Sequence, residues 1–210
     1  MGYTRIALGG LVPLKTVEIA QVVQAVAVIR RPGVEFHLLG VTRLQRLSEF
    51  EECGVTSFDS TSPLRQAFKD DRDNYYTANR TYPAIRVPQV DKNVKLKNKI
   101  KKGEIPCEEA RAAERRCLAS LQAYDREESR LAETLEAVRD YSTLCGLSPG
   151  YFDDYREILE TRPWDACDCE ICRHLGINVI IFRGAERNRR RGFHNLYVFR
   201  HRMLAPARSD

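Results

Sequence analysis

Nowhere does this sequence offer the roughly eighteen consecutive apolar residues that a membrane-spanning helix requires, so no membrane partner is expected. Its first ten residues, Met1 to Gly10, lack a basic stretch ahead of an apolar core, so no secretory signal is expected either. Internal repeats and low-complexity tracts are absent. Charge of one sign is scarcely in excess: 34 Lys and Arg face 29 Asp and Glu, a net charge of +5. With 210 residues, 43% hydrophobic and 30% charged, the chain suits one good core with room for a small satellite subdomain. Seven cysteines, three of them within six residues, point to a reducing compartment, and the expected location is cytoplasmic.

That knot of thiols is the most informative stretch. Cys167, Cys169 and Cys172 are followed by His194, twenty-two positions after the last thiol. Three thiolates and one neutral imidazole make a closed tetrahedral donor set for zinc, which leaves no position for a reactive water. Such a site staples a fold rather than catalysing, so structural Zn²⁺ is the expected cofactor. The alternative is three unpaired cysteines beside an ordinary histidine at a helix start. A disulfide within Cys-x-Cys is disfavoured by its geometry.

Positive charge is unevenly spread. Lys92 to Lys102 carries six lysines, and Arg183, Arg187, Arg189, Arg190 and Arg191 cluster between the last cysteine and His194. Either cluster could neutralise phosphates without sequence choice, or simply be solvated surface. The arginines are expected to lie in a loop held by the zinc ligands, where their planar forks suit phosphate oxygens.

Apolar patterning over the first seventy residues alternates between strand and helix. Strands are expected over 4–11, 35–41 and 55–60. Helices are expected from Thr16 as cap, over 44–53, and from Ser62-Pro63, where proline suits the first turn. This alternation implies parallel strands with right-handed crossovers. The expected fold class is α/β: about three βα units from the C-terminal part of a (β/α)₈ barrel, with a helical insertion and a zinc-binding subdomain. The boundaries read as a partial barrel over 1–70, an irregular basic segment over 71–104, a helical insertion over 105–161 and the zinc-binding subdomain over 162–210. In the insertion, Ala110, Ala113, Cys117, Leu121 and Tyr124 form one helical stripe and Leu131, Leu135, Val138 and Tyr141 another, with a turn over 125–129. A shorter helix is expected over 149–160. Tyr75 and Tyr76 could stack on nucleobases or cover a core.

In parallel α/β units, ligands meet the C-terminal ends of the strands. Those ends here carry Gly9-Gly10-Leu11, Gly40-Val41 and Asp59. Glycines there let the backbone approach a flat ligand. Asp59 could attack a sugar carbon as a nucleophile, or cap the helix that follows it.

At these residues the chain resembles the tRNA-guanine transglycosylases, zinc-containing (β/α)₈ barrels that exchange guanine for a 7-deazaguanine base. Gly9-Gly10-Leu11 resembles the family's base-contacting loop, Leu39-Gly40-Val41 its Met-Gly-Val strand, and Phe58-Asp59 its Phe-Asp-Cys nucleophile motif. Pro63 and Arg65 are similar to the proline and arginine that follow, and Cys167, Cys169, Cys172 and His194-Asn195-Leu196 to its zinc motif. The resemblance runs from Gly9 to Phe199 and covers the family's C-terminal half. Departures are Val12-Pro13-Leu14 after the glycines, Thr42-Arg43-Leu44 after Gly40-Val41, and Leu64 in place of threonine. With Asn74-Tyr75-Tyr76 and the arginine cluster, these look more like the DNA-modifying (DpdA-like) branch.

The resemblance implies Asp59 as catalytic nucleophile; Gly9, Gly10, Leu11, Gly40 and Arg65 at the substrate; and Arg183, Arg187, Arg189, Arg190 and Arg191 on nucleic acid. It implies exchange through a covalent aspartyl-sugar, with DNA or tRNA and a 7-deazaguanine base as partners. The family's second catalytic aspartate lies on an early strand outside this sequence, so a second chain carrying the N-terminal barrel half is expected. A zinc-stapled nucleic-acid-binding subunit without chemistry, or a truncated remnant, are the competing expectations.

Overall fold

A computed structural model describes residues 2–41, 43–69 and 73–204. Thr42 and the start of the expected basic segment, residues 70–72, lie outside the described residues. The chain divides into two compact units, one over residues 1–62 and one from Pro63 to Leu204.

The first unit is a small α/β layer. Strands β1 (Arg5–Leu8), β2 (Glu35–Leu38) and β3 (Val55–Phe58) form a parallel sheet in the order β1-β2-β3. Helices α1 (Thr16–Val28) and α2 (Leu47–Glu52) provide the crossovers. Alternation along β2 decides the faces: Phe36 and Leu38 are buried, whereas Glu35 and His37 point to the other side. Phe36 and Leu38 join Ile19, Ala20, Val23, Phe50 and Val55 in one core. The opposite face is polar, with Arg5 Nε 3.1 Å from a Glu35 oxygen. The strands stop earlier than the apolar runs suggested, because Gly9-Gly10 and Leu39-Gly40 turn out of the sheet. Lys15, not Thr16, is the cap of α1, its N–H donating to Glu18 at 2.6 Å; the Thr16 hydroxyl instead accepts from Arg43.

The second unit is mainly helical. It opens in α3 (Ser62–Gln66), whose first residue belongs to the preceding unit, and continues through α4 (Val94–Lys101), α5 (Cys107–Asp125), α6 (Leu131–Leu144) and α7 (Phe152–Thr161). The unit closes with α8 (Glu170–Leu175) and α9 (Gly184–Leu204). Short strands β4 (Tyr75–Tyr76) and β5 (Thr81–Tyr82) pair antiparallel, and β6 (Ile85–Arg86) pairs parallel with β7 (Ile181–Phe182). Both stripes foreseen for α5 and α6 face one core: Ala110, Cys117 and Leu121 meet Leu135, Val138 and Tyr141. The segments expected as separate basic, helical and zinc-binding parts share this core. Arg162 ends α7 with φ at +45° and carries its guanidinium to the carbonyls of Tyr124 and Asp125, closing the C-terminus of α5.

The lysine run is helical rather than irregular. Asn93 caps α4, its side chain accepting from Leu96 N–H at 2.9 Å, and Leu96 is buried with Ile100 packed alongside. Lys95 and Lys99 donate to the carbonyls of Gly146 and Leu144 beyond and at the end of α6, where cations are favoured. Among the described residues no helix is long and apolar enough to cross a membrane. Leu121→Ala is expected to lower unfolding free energy by about 2–5 kcal/mol, the usual range for emptying a fully buried leucine site. Chemical denaturation followed by circular dichroism would measure it.

Candidate metal centre and nucleophile site

The metal centre is built by three local structures. Cys167 precedes α8; Cys169 is the cap of that helix, its sulfur 3.3 Å from the Cys172 N–H; Cys172 follows in the first turn. His194 comes from the middle of α9, not a helix start. Its Nδ1 lies 3.6, 3.4 and 3.3 Å from the sulfurs of Cys167, Cys169 and Cys172. A tetrahedral zinc with ordinary Zn–S and Zn–N bonds sets S···N edges of about 3.6 Å, so the donors are already spaced for it. All four ligand atoms lie within 4.8 Å of one another.

Surrounding groups fix the imidazole. His194 Nε2 donates to the Tyr76 carbonyl at 2.7 Å, which leaves Nδ1 as the ligating nitrogen. Tyr75 is fully buried and stacks on the His194 ring, centroids 4.4 Å apart and planes within 3°. Its hydroxyl lies 3.7 Å from Cys172 Sγ. Base stacking by Tyr75 is therefore excluded; it covers the metal centre. Asn195, next in sequence, accepts from Tyr76 N–H and donates to the carbonyls of Pro63 and Asn74, tying α9 to the chain before β4. The donors fit a closed zinc site, and a group able to bind metal was the reading of the spacing.

Four of the five clustered arginines lie in α9 rather than in a loop, with Arg183 just before it, and helical periodicity splits them. Arg191 is 0% exposed and donates to the carbonyls of Val179, Ile181 and Ala67 and to the Asn188 side chain. Burial without a carboxylate pushes its guanidinium down to about 9. Arg183 is paired with Glu114 and donates to the Val87 carbonyl. Arg187 is half-buried, with Nη1 lacking a hydrogen bond. These three serve the interior; Arg191 in particular cannot reach a phosphate from where it lies. Arg189 and Arg190 face solvent, 61% and 46% exposed, and both reach Glu186. Gly192 explains the break in the arginine run: a Cβ there would lie 2.6 Å from Leu64 Cδ1 and 3.3 Å from the Leu64 carbonyl. Only glycine lets α9 and the start of this unit approach so closely.

In the first unit, the C-terminal ends of the strands gather the other site residues. Asp59 follows β3 and its Oδ1 accepts from Gly40 N–H at 2.7 Å. Gly40 adopts φ +71°, and a Cβ would lie 2.9 Å from Val12 Cγ2, so glycine is needed for this N–H to point at the carboxylate. His37 Nε2 is 3.3 Å from the same Oδ1. The Gly40 N–H, then His37, hold the Asp59 carboxyl below the usual carboxylate range. No hydrogen bond among the described residues reaches Oδ2, and the side chain is 58% exposed. Asp59 does not cap α3; Ser60 Oγ accepts the Ser62 N–H instead. Gly9 and Gly10 stand open at the end of β1, Gly10 at φ +75° with no atom near its Cβ position. Leu11 is buried in the core, so it offers only its backbone outward. Arg65, exposed on α3, belongs to the second unit.

His37 was not foreseen. It stands two residues before Leu39-Gly40, between the buried Phe36 and Leu38, and only the register of β2 with β3 places it beside Asp59.

No protein-family model matches the chain. Among curated proteins, a DNA-guanine transglycosylase from Salmonella montevideo is 47% identical over 207 residues, 97% of this chain and 50% of that protein. The chain belongs to the tRNA-guanine transglycosylase-like family. It spans about half the length of the family member it matches.

The zinc assignment is checked by metal analysis of purified protein. One zinc per chain is expected, with Cys169→Ser or His194→Ala lowering it well below one and loosening the second unit. Because each thiolate must regain a proton before it leaves the metal, zinc should be lost as pH falls and regained as it rises. Arg191→Met and the double change Arg189→Ala, Arg190→Ala should separate: the former alters thermal stability, the latter leaves it within about 0.5 kcal/mol.

Proposed function

We propose that this chain carries the nucleophile of a transglycosylase that exchanges guanine in DNA for a 7-deazaguanine base. The observation that carries the reading is Asp59: an ionised carboxylate at the C-terminal edge of a parallel sheet, with Oδ1 anchored by Gly40 and Oδ2 open. The name of the Salmonella relative supports DNA as the substrate.

Asp59 Oδ2 attacks the deoxyribose C1′ as the C1′–N9 bond breaks, and the electron pair of that bond leaves with guanine, which takes up a proton. The incoming deazaguanine, having lost its proton at the equivalent nitrogen, attacks C1′ and displaces the Asp59 carboxylate. Two inversions restore the original configuration. Gly9 and Gly10 offer backbone to the flat base and Gly40 holds the nucleophile; in the second unit the exposed Arg65, Arg189 and Arg190 offer positive charge to phosphates. The guanine leaves its stack to be reached, at a cost of a few kcal/mol, which phosphate contacts offset. Zinc at Cys167, Cys169, Cys172 and His194 supplies structure alone, since a closed donor set has no place for substrate.

Both proton transfers fall to the family's second aspartate, on the N-terminal barrel half. The three parallel strands are the C-terminal part of a (β/α)₈ barrel, and a second chain carrying the other half completes it.

Labelled 7-cyano-7-deazaguanine, offered with duplex DNA and with bulk tRNA, tests the reading in the presence of the completing half. Label is expected in DNA. Asp59→Asn should abolish both incorporation and the covalent protein–DNA adduct on a denaturing gel while leaving DNA binding intact; an adduct surviving in that variant would sink the assignment. Label in tRNA alone would keep the chemistry and overturn the substrate. Binding without label would favour a zinc-stapled subunit that performs no exchange.

A further inference from the structure

The polar face of the parallel sheet carries a chain of contacts that the exchange chemistry above does not use. His37 on β2 lies between Ser57 of β3 and Asp59 just after it: its Nδ1 is 2.9 Å from Ser57 Oγ and its Nε2 is 3.3 Å from Asp59 Oδ1. Asp59 stands two residues after Ser57, just past the end of β3, where its N–H still bonds to the Leu38 carbonyl, so the two project to the same side, and His37 is the register partner of Ser57. An ionised Asp59 can only accept, so the ring nitrogen facing it must carry hydrogen. The neutral ring then presents Nδ1 as an acceptor, which the serine hydroxyl can satisfy by donating. Ser57 thus selects the Nε2–H tautomer, and that tautomer donates to Asp59.

We infer that His37, oriented by Ser57, is a positioning residue for the nucleophile: it fixes the Asp59 carboxylate so that Oδ2 meets the sugar carbon. The inference rests on Asp59 being the nucleophile. Gly40 N–H alone pins one oxygen but leaves the carboxylate free to rotate about that bond. A second donor to the same oxygen, arriving from the sheet, removes the rotation and keeps Oδ2 on the open side. It also balances negative charge on Asp59 twice in each cycle: before attack, and again when the carboxylate is displaced by the incoming base. The arrangement resembles a serine–histidine–aspartate relay with its sense reversed. Here the carboxylate is the attacking group and the serine the remote orienter, whereas in hydrolases the serine attacks.

Two measurements test this independently. The first needs no substrate. In a long-range ¹H–¹⁵N correlation spectrum of the zinc-loaded chain, His37 should appear as the Nε2–H tautomer. Ser57→Ala should shift it toward a mixture, and Asp59→Asn should move the Nε2 resonance. A ring that is a tautomer mixture in the parent chain and insensitive to both changes overturns the proposal.

The second follows the rate of covalent adduct formation with a labelled guanine-containing duplex, using this chain together with the completing half. His37→Ala should slow the adduct by about 10- to 100-fold, the worth of one hydrogen bond to a charged group, with DNA affinity unchanged. His37→Gln, which can offer an N–H from a similar place, should recover much of the rate, and added imidazole should partly rescue His37→Ala. A merely structural role would give neither rescue. If Asp59→Asn abolishes the adduct but His37→Ala forms it at the parent rate, this inference falls and the nucleophile assignment stands. If Asp59→Asn forms the adduct, or the parent assembly forms none, the underlying reading falls and takes this one with it.

Discussion

One hydrogen bond organises the second unit: His194 Nε2 to the carbonyl of Tyr76. It decides which ring nitrogen faces the three sulfurs, and so whether a metal can join α8 to α9. The same imidazole is sandwiched by Tyr75, and the next residue, Asn195, repeats the tie through three further hydrogen bonds. A strand only two residues long could not hold its place by backbone pairing alone. Here β4 is instead clamped by a histidine and an asparagine from one helical turn. The metal site thus organises polar groups as well as sulfurs, and the helical hairpin of α5 and α6 packs on the core that these ties enclose.

The first unit solves a different problem. A parallel sheet of three strands usually has both faces covered, yet its non-helical face here is lined by charged and polar groups that pair with each other: Arg5 with Glu35, and His37 with Ser57 and Asp59. Those pairs let the strands present side chains to solvent or ligand without exposing a broad apolar surface.

The metal ligands were legible because thiol spacing is a nearly direct record of coordination geometry, and the α5 and α6 stripes because apolar periodicity survives in a long helix. The position of Asp59 just past a strand was legible from the apolar run that precedes it. The lysine run misled because six charges concealed the single buried Leu96 and the capping Asn93. The arginine run misled for the opposite reason. Five guanidinium groups suggest surface, but Asn188, Arg191, Gly192, Asn195 and Val198 fall on one helical face and turn inward, where main-chain carbonyls satisfy Arg191. His37 was invisible in sequence, since its role depends on which residue of the neighbouring strand stands opposite.

The close approach of Gly192 to Leu64 carries an evolutionary consequence. Two positions far apart in the chain share one small volume, so a side chain added at 192 meets Leu64. A side chain at 192 would be tolerated only in a sequence that has already trimmed 64, and the reverse substitution order would pass through a clashing intermediate. Leu64 and Gly192 therefore change as one unit, and together they seat the last helix.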